Sequence, residues 1–231
     1  YSIVFQDHGA LGRIPVLVPV KFVDDLPVFG AAGFAPKEVN VPDLRPDYHY
    51  KPLYSNDFTN PAWQWNHIPN KALMKVEEDT FTVKTDKVCK NVVQAANTLT
   101  QRTFTEHCAG SVEIDASMLN EGDIAGLCAL EGEYGFIGIT KKDGKYKLIT
   151  AEHKIPYTPW SMGVFDDEEP VITTEKELSS PKLKLKATFN LEHTKEQVQF
   201  AYCDILDKND DFEAFGAPVK LRYTLDQFVG V

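Results

Sequence analysis

The sequence predicts an all-β fold, an antiparallel β-sandwich or barrel, from three observations. Short runs of strand-forming residues, separated by turn residues, recur along most of the 231-residue chain without a long helical pattern. Residues 182–191 alternate apolar and polar side chains over the whole run, which is typical of a strand buried on one face. Residues 123–152 form three strand-like runs cut by two turns, which predicts a three-stranded meander.

The meander at residues 123–152 is the best-defined part of this prediction. Asp143 and Gly144 predict a two-residue hairpin turn, because both residues tolerate the positive φ that such a turn needs. The first run is apolar on both faces, around Leu127 and Cys128, which predicts a central strand covered on both sides. An antiparallel sheet of this kind needs a second layer, most simply a second sheet.

The other elements follow in chain order. Residues 1–30 predict two strands joined by a tight turn, and a lone hairpin of this kind needs a larger partner to pack on. Residues 33–52 contain four prolines and predict an extended linker. A helical turn is predicted at residues 92–97. Further strands are predicted at residues 73–76, 80–84, 99–104, 111–115, 196–205 and 219–223.

Composition excludes several classes of function. The formal net charge of −10 argues against a nucleic-acid or anionic-membrane surface, which would need clustered lysine and arginine. No apolar run is long enough to span a bilayer, and the first residues lack a signal-peptide pattern. The chain starts inside an apolar run without a methionine, so we expect its first residue to be a cut end.

The four cysteines show neither disulfide nor zinc spacing. Cys108, Cys128 and Cys203 lie in or beside strand-like runs, which favours small buried apolar side chains over disulfides or metal ligands. Reduced thiols favour a cytoplasmic over a secreted parent protein, although the compartment stays open.

Several motifs together resemble the C-terminal part of glycoside hydrolase family 43, which contains β-xylosidases and α-L-arabinofuranosidases. Two groups of motifs carry the resemblance, in the same order as in the family. Those similar to the end of the catalytic propeller lie at residues 5–13, 14–20 and 26–30. Those similar to a concanavalin A-like β-sandwich lie at residues 63–67, 97–104, 122–127 and 134–138.

The resemblance implies a fold and a division of the chain. Residues 1–32 would be the closing strands of a five-bladed β-propeller, and residues 33–54 would be a proline-rich linker. Residues 55–231 would be a concanavalin A-like (jelly-roll) antiparallel β-sandwich, and we expect its C-terminal end to be truncated. The family's three catalytic carboxylates lie in earlier blades, so no catalytic residue is assigned and the chain alone is expected to be inactive.

The resemblance also implies a role in sugar binding for the residues near the start of the chain. Arg13 would reach the glycone pocket, because a guanidinium offers several hydrogen-bond donors in one plane. The alternative for Arg13 is a surface ion pair with Asp7. His8, in the same loop, would line this pocket or make a structural hydrogen bond instead.

Three aromatic residues and one aspartate are further candidates. Trp63 and Trp65 would form a sugar-stacking platform or, as the more ordinary alternative, pack in the core or at a domain interface. Phe228 is an aromatic candidate for closing the rim of the active-site pocket. Asp57 would help to bind a structural calcium ion or simply form a turn. No other cofactor is predicted.

The resemblance implies an accessory sandwich of an enzyme of xylan degradation. It would support the catalytic propeller of the same enzyme and shape the pocket for a xylo- or arabino-oligosaccharide. The alternative is an independent carbohydrate-binding (lectin-like) module. An accessory domain predicts buried tryptophan rings and an exposed apolar surface at residues 1–30. A binding module predicts exposed, coplanar rings at Trp63 and Trp65.

Overall fold

The structure is a computed structural model in which every described helix is a three-residue 3₁₀ helix. It describes residues 1–49, 58, 60, 62–77, 80–103, 105–131, 133–155 and 167–221. The three helices are Gly9–Leu11, Lys71–Leu73 and Val92–Gln94. None of the described helices has the length and apolar composition needed to cross a membrane. All the strand pairs are antiparallel, which confirms the predicted all-β antiparallel fold.

Two β-hairpins open the chain. Their strands are β1 (Ser2–Asp7), β2 (Arg13–Val18), β3 (Val20–Val23) and β4 (Leu26–Phe29). Asp24 and Asp25 form the turn of the second hairpin with φ angles of 49° and 63°. The predicted pair of strands with a tight turn is confirmed as β3 and β4, but the segment holds four strands and not two. The first hairpin escaped prediction because a five-residue 3₁₀ connection, residues 8–12, joins β1 to β2 and has no two-residue turn signature.

Two short strand pairs follow the predicted linker. Their strands are β5 (Gln64–Trp65), β6 (Met74–Glu77), β7 (Thr80–Val83) and β8 (Leu99–Thr100). Strand β5 pairs with β8, and β6 pairs with β7. Val92 and Val93 then pack against Tyr134 and Phe136 of the sandwich, so this segment covers part of the outer face of one sheet.

Within the described residues, the sandwich consists of nine strands in two sheets. The strands are β9 (His107–Asp115), β10 (Ile124–Leu130), β11 (Tyr134–Lys142), β12 (Lys145–His153), β13 (Val171–Glu177), β14 (Lys182–Asn190), β15 (Gln197–Asp204), β16 (Glu213–Ala214) and β17 (Val219–Lys220). One sheet has the order β10–β11–β12–β13. The other has the order β16–β15–β14–β9, with β17 also paired to β15.

The main hydrophobic core lies between the two sheets. Ile137, Ile139 and Leu148 of one sheet and Leu185 and Phe200 of the other are all fully buried. Burying one such side chain stabilises the fold by about 1.5–3 kcal/mol. The predicted alternation along β14 is confirmed, since its apolar positions face this core and its lysines face outward.

The meander at residues 123–152 is partly as predicted. The Asp143–Gly144 turn is confirmed, with φ angles of 53° and 73°. The central position predicted for the first strand is wrong, because within the described residues β10 is the end strand of its sheet. Leu127 packs toward the main core and Cys128 packs on the opposite side. This strand is apolar on both faces because the main core covers one face and the cluster that includes Val92 and Val93 covers the other.

The linker prediction falls partly within the described residues. Residues 35–49 contain neither helix nor strand, and the linker residues beyond them are outside the described part. The domain boundaries after residues 32 and 54 stay a prediction.

Candidate functional site

The predicted sugar-binding residues His8 and Arg13 lie at the closed end of the first hairpin. Arg13 is the first residue of β2 and pairs with Asp7, the last residue of β1. Its Nε lies 4.0 Å from Asp7 Oδ2, and its Cζ lies 4.8 Å from the centre of the Phe5 ring. The ring and the carboxylate hold the guanidinium in one orientation. The ion pair with Asp7 is thus present, at the outer limit of ion-pair distance.

Residues 8–12, here called the docking loop, form a closed turn. The backbone N–H of His8 donates to Gly12 O at 2.9 Å, and the Gly12 N–H donates to Gly9 O at 2.8 Å. Gly9 has a φ of +59°, a conformation that glycine adopts without steric cost. Asp7 Oδ1 accepts a hydrogen bond from Gly9 N at 3.1 Å. Asp7 therefore contacts both the docking loop and Arg13.

The docking loop inserts into one end of the sandwich. Ala10 is fully buried and Leu11 is 8% exposed, and both belong to the main core between the sheets. The N–H of Ala10 donates to Glu196 Oε1 at 3.0 Å, across 186 positions of sequence. Glu196 ends the turn between β14 and β15, so the sandwich holds the loop that carries the predicted pocket residues.

A cavity of about 500 Å³ lies beside this contact. It is lined from the first hairpin by Gln6, Asp7, His8 and Gly9, and from the sandwich by Glu106, Leu191, His193 and Glu196. His8 faces it, whereas Arg13 is not among the lining residues. The cavity offers carboxylates and imidazoles, groups that hydrogen-bond hydroxyls. The sequence did not identify Glu106, His193 and Glu196 as site candidates, because each lies in a polar turn whose composition is that of an ordinary exposed surface.

Trp63 and Trp65 lie in an aromatic cluster apart from this cavity. The rings of Phe58 and Trp63 have centroids 5.6 Å apart at 37°, and those of Trp65 and Phe81 lie 5.9 Å apart at 48°. Phe58 and Phe81 stack on each other at 5.2 Å. Both tryptophans are half-buried and pack on these phenylalanines, and their predicted role in sugar stacking stays a prediction.

Asn66 and His67, next to the tryptophans, bond to the protein backbone. Asn66 Nδ2 donates to Val92 O at 3.4 Å and to Val93 O at 3.2 Å. His67 Nε2 also contacts Val93 O. These bonds tie β5 to the Val92–Gln94 helix, so both side chains have a structural role in the described contacts.

Two predicted site residues, Asp57 and Phe228, lie outside the described residues. The calcium site assigned to Asp57 and the pocket rim assigned to Phe228 therefore stay predictions. Within the described part of the chain, no group of three or more histidine, cysteine, aspartate or glutamate side chains is arranged to hold a metal ion.

All four cysteines are free thiols. Burial raises the pKa of the Cys128 thiol far above its usual range, and burial is also the main cause that raises the pKa of Cys203. A thiol held in its neutral form is a poor nucleophile and a poor metal ligand. Both cysteines therefore act as small apolar side chains of the sandwich.

Comparison with known proteins identifies the sandwich. A family model described as the beta-xylosidase C-terminal concanavalin A-like domain matches residues 53–231. The chain belongs to this family. Its sandwich is therefore the concanavalin A-like type, as the sequence predicted, and the predicted relation to glycoside hydrolase family 43 is confirmed. No curated protein sequence matches the chain.

Solved structures of GH43 enzymes share this fold. A bifunctional GH43-CE protein from Bacteroides eggerthii is 31% identical, with a TM-score of 0.79 over 99% of this chain and 29% of its own. A GH43 glycoside hydrolase, described as engineered to display both endo-xylanase and exo-arabinofuranosidase activity, is 19% identical, with a TM-score of 0.84 over 99% of this chain and 46% of its own.

A GH43_12 protein retrieved from a capybara gut metagenome is similar in fold. It is 15% identical, with a TM-score of 0.66 over 96% of this chain and 42% of its own. The chain thus spans between 29% and 46% of the length of these three proteins.

Proposed function

We propose that this chain is the accessory β-sandwich of a family 43 glycoside hydrolase. In this proposal it supports the catalytic propeller of the same enzyme and fixes one wall of the substrate pocket. The enzyme would release β-xylosyl or α-L-arabinofuranosyl units from xylan-derived chains. Family membership supports the general role, and the exposed surface of the first two hairpins supports the specific one.

The observation that carries the proposal is the apolar surface of residues 1–34. Phe22 is 75% exposed, Leu26 68%, Ile3 71% and Phe34 77%. Several more large apolar side chains of the same segment are exposed, namely Tyr1, Val4, Phe5, Leu17, Val23, Val28 and Phe29. An apolar surface of this kind, on hairpins that are marginal alone, is expected to be covered by another protein layer.

A catalytic propeller is the partner that fits this surface best. The docking loop joins the two strands of the first hairpin, and its Ala10 and Leu11 enter the core of the sandwich. One face of the segment is thus anchored to the sandwich while the other offers apolar strands. A propeller blade that packs on these strands would place Arg13 and His8 at the junction of the two units.

The proposed reaction is hydrolysis of a glycosidic bond by two carboxyl groups, one acid and one base. We assign neither group to this chain, because the resemblance to the family implies that the catalytic carboxylates lie in earlier blades. The proposed role of Arg13 is to hydrogen-bond sugar hydroxyls. The match to a family model described as a beta-xylosidase domain supports xylose-containing substrates.

The packing of Trp63 and Trp65 argues against an independent binding module. A sugar-stacking platform needs aromatic faces that lie open and parallel to the ligand. Here Trp63 packs on Phe58 and Trp65 packs on Phe81, so one side of each half-buried ring is occupied by a protein neighbour. This arrangement favours an accessory role in the enzyme over separate sugar capture.

The test combines titration calorimetry and hydrolysis. The 231-residue chain is titrated with xylose, xylobiose, xylotriose, arabinose and arabino-oligosaccharides, and its activity on nitrophenyl xyloside and arabinofuranoside is followed. We expect no heat and no hydrolysis from the chain alone, and hydrolysis when it is joined to its propeller. Hydrolysis by the chain alone would overturn the proposal. Saturable heat that disappears in the Trp63→Ala and Trp65→Ala variants would establish the binding module instead.

A further inference from the structure

Besides the packing of Ala10 and Leu11, the docking loop makes a hydrogen bond to the side chain of Glu196, whose backbone is bonded on both sides. Glu196 Oε1 accepts the hydrogen bond from Ala10 N at 3.0 Å. The backbone N–H of Glu196 donates to Glu192 O at 3.3 Å, and its carbonyl accepts from Leu221 N at 2.8 Å. Glu196 also has a φ of +40°, which a non-glycine residue keeps only where its surroundings enforce it.

The fit between Gly9 and Glu196 is tight. A Cβ atom added to Gly9 would lie 1.9 Å from Glu196 Oε1, so any side chain there must displace the carboxylate. The nearest atom is the tip of a flexible side chain, which can move, but movement would break the bond to Ala10. The Glu196 carboxylate thus occupies the space that the missing side chain of Gly9 leaves between the first hairpin and the sandwich.

The position of the docking loop determines the position of Arg13. Gly12 ends the loop and Arg13 begins β2, while Asp7 bonds the loop through Gly9 N and pairs with Arg13. A shift of the loop would therefore move both the backbone of Arg13 and the carboxylate beside its guanidinium. A displacement of about 1 Å is enough to weaken a positioned contact with a substrate.

We propose that Glu196 is a positioning residue of the enzyme. It holds the docking loop through Ala10 and thereby fixes Arg13 in the geometry that binds the sugar. The sandwich would then contribute to substrate binding without itself contacting the substrate. This inference rests on the proposed function, in which Arg13 reaches the substrate pocket.

The first measurement is amide hydrogen exchange of the 231-residue chain, which needs no activity. We expect Glu196→Ala to accelerate exchange at Ala10 by about five- to tenfold, because the amide loses its acceptor. Glu196→Gln keeps a carbonyl oxygen at that place and should restore most of the protection. Glu192→Ala is the matched control, because its side chain lies in the same turn but pairs with His107.

Two separate glycine substitutions give an independent second test of the same contact. Gly9→Ala should reproduce the faster exchange at Ala10, since its Cβ displaces the carboxylate of Glu196. Gly33→Ala is the control, because Gly33 also has a positive φ, +85°, but an added Cβ would meet nothing within 4 Å. Only the first variant should affect Ala10.

The second measurement is a double-mutant cycle in the enzyme that contains the propeller. With nitrophenyl xyloside or arabinofuranoside, Glu196→Ala should lower kcat/KM by about three- to tenfold, mainly through KM, and Glu196→Gln should recover it. In an Arg13→Ala background the same change should have less than about a twofold effect. A merely structural role of Glu196 would not depend on Arg13.

Three results would contradict the inference or its basis in separate ways. Unchanged exchange at Ala10 in Glu196→Ala overturns the inference, whatever the activity. Faster exchange combined with additive losses in the cycle also overturns it, while the proposed function stands. A wild-type enzyme inactive on both pentosides overturns the proposed function, and exchange at Ala10 still decides whether Glu196 holds the loop.

Discussion

Asp115 illustrates how single residues stabilise the edge of the sandwich. It ends β9, and its carboxylate pairs with Lys182 of β14 at 2.8 Å and accepts a hydrogen bond from Ser117 N at 3.0 Å. The bond to Lys182 is the main cause that lowers the pKa of Asp115 to about 2, and the bonds to Ser117 add to it. Both charged side chains are about half exposed, so solvent screens much of the interaction.

We predict a pH-dependent loss of stability in Asp115→Asn. Because the pKa is lower in the folded state than the ordinary value of about 4, Asp115 stabilises the fold above pH 4 and loses this effect as the pH falls towards 2. The variant should be less stable by about 0.2–1 kcal/mol at pH 7 and nearly equal to the wild type at pH 2. Urea unfolding at both pH values measures this.

High salt is the internal control for this prediction. A screened ion pair should contribute less at 1 M salt, so the difference at pH 7 should shrink. A difference that stays constant from pH 7 to pH 2 would show that the substitution acts through packing and not through charge.

Strand β14 is the element on which both neighbouring strands depend. It pairs over its whole length with β9, pairs with every residue of β15, and buries its apolar face against the other sheet. Leu185, at its middle, is fully buried, whereas Thr188 points outward and is exposed. Removing volume at these two positions should therefore have very different costs.

We predict that Leu185→Ala destabilises the sandwich by about 2–5 kcal/mol, through lost burial and a cavity. Thr188→Ala on the same strand should change the free energy of unfolding by no more than about 0.5 kcal/mol. Chemical denaturation followed by tryptophan fluorescence would measure both. Similar costs for the two variants would contradict the two-faced role of β14.

The elements that the sequence predicted are those with a local pattern. Alternation revealed β14 and β15, and the Asp143–Gly144 turn revealed the β11–β12 hairpin. Strand β13, Val171–Glu177, was missed because it is a polar edge strand whose pairing with β12 is interrupted by a register shift. Its last five residues, Thr173–Glu177, are all polar or charged, so the strand lacks the alternation that a half-buried strand shows.

The candidate site was predictable only in part, for a similar reason. Arg13 and His8 stood out through a resemblance to a family motif. The hydrogen bond from Ala10 to Glu196 joins residues 186 positions apart. It depends on how the β1–β2 hairpin packs against the β14–β15 hairpin, and no local sequence pattern predicts that packing. The central position expected for β10 failed likewise, because apolar residues report which faces are covered and not which strands are neighbours.

At the scale of the whole molecule, charge and apolar surface are unevenly distributed. The chain carries a formal net charge of −10, yet residues 1–34 present several large apolar side chains to solvent. Single exposed apolar residues elsewhere, such as Met118 and Leu206, are ordinary on a protein surface. The hairpins should therefore be the part of the isolated chain that associates.

We predict that Phe22→Lys combined with Leu26→Lys lowers self-association and dye binding of the isolated chain. Both residues lie outside the hydrophobic core, so the unfolding midpoint should stay nearly unchanged. Sedimentation velocity and the fluorescence of a hydrophobic dye would show this. The matched control is Met118→Lys combined with Leu206→Lys, and an equal decrease there would contradict a specific surface at the hairpins.

The insertion of Ala10 and Leu11 into the sandwich has a consequence for domain exchange. A chimera that joins residues 55–231 to a foreign propeller would leave a hole at one end of the sandwich core, where these two side chains belong. The foreign propeller would need a loop of its own with two small apolar side chains between glycines, of the size of Ala10 and Leu11, opposite Glu196. The two units of such an enzyme should therefore be inherited together. Substitutions at Ala10 and Leu11 should correlate across relatives with substitutions at Glu196 and at the core residues that surround the docking loop.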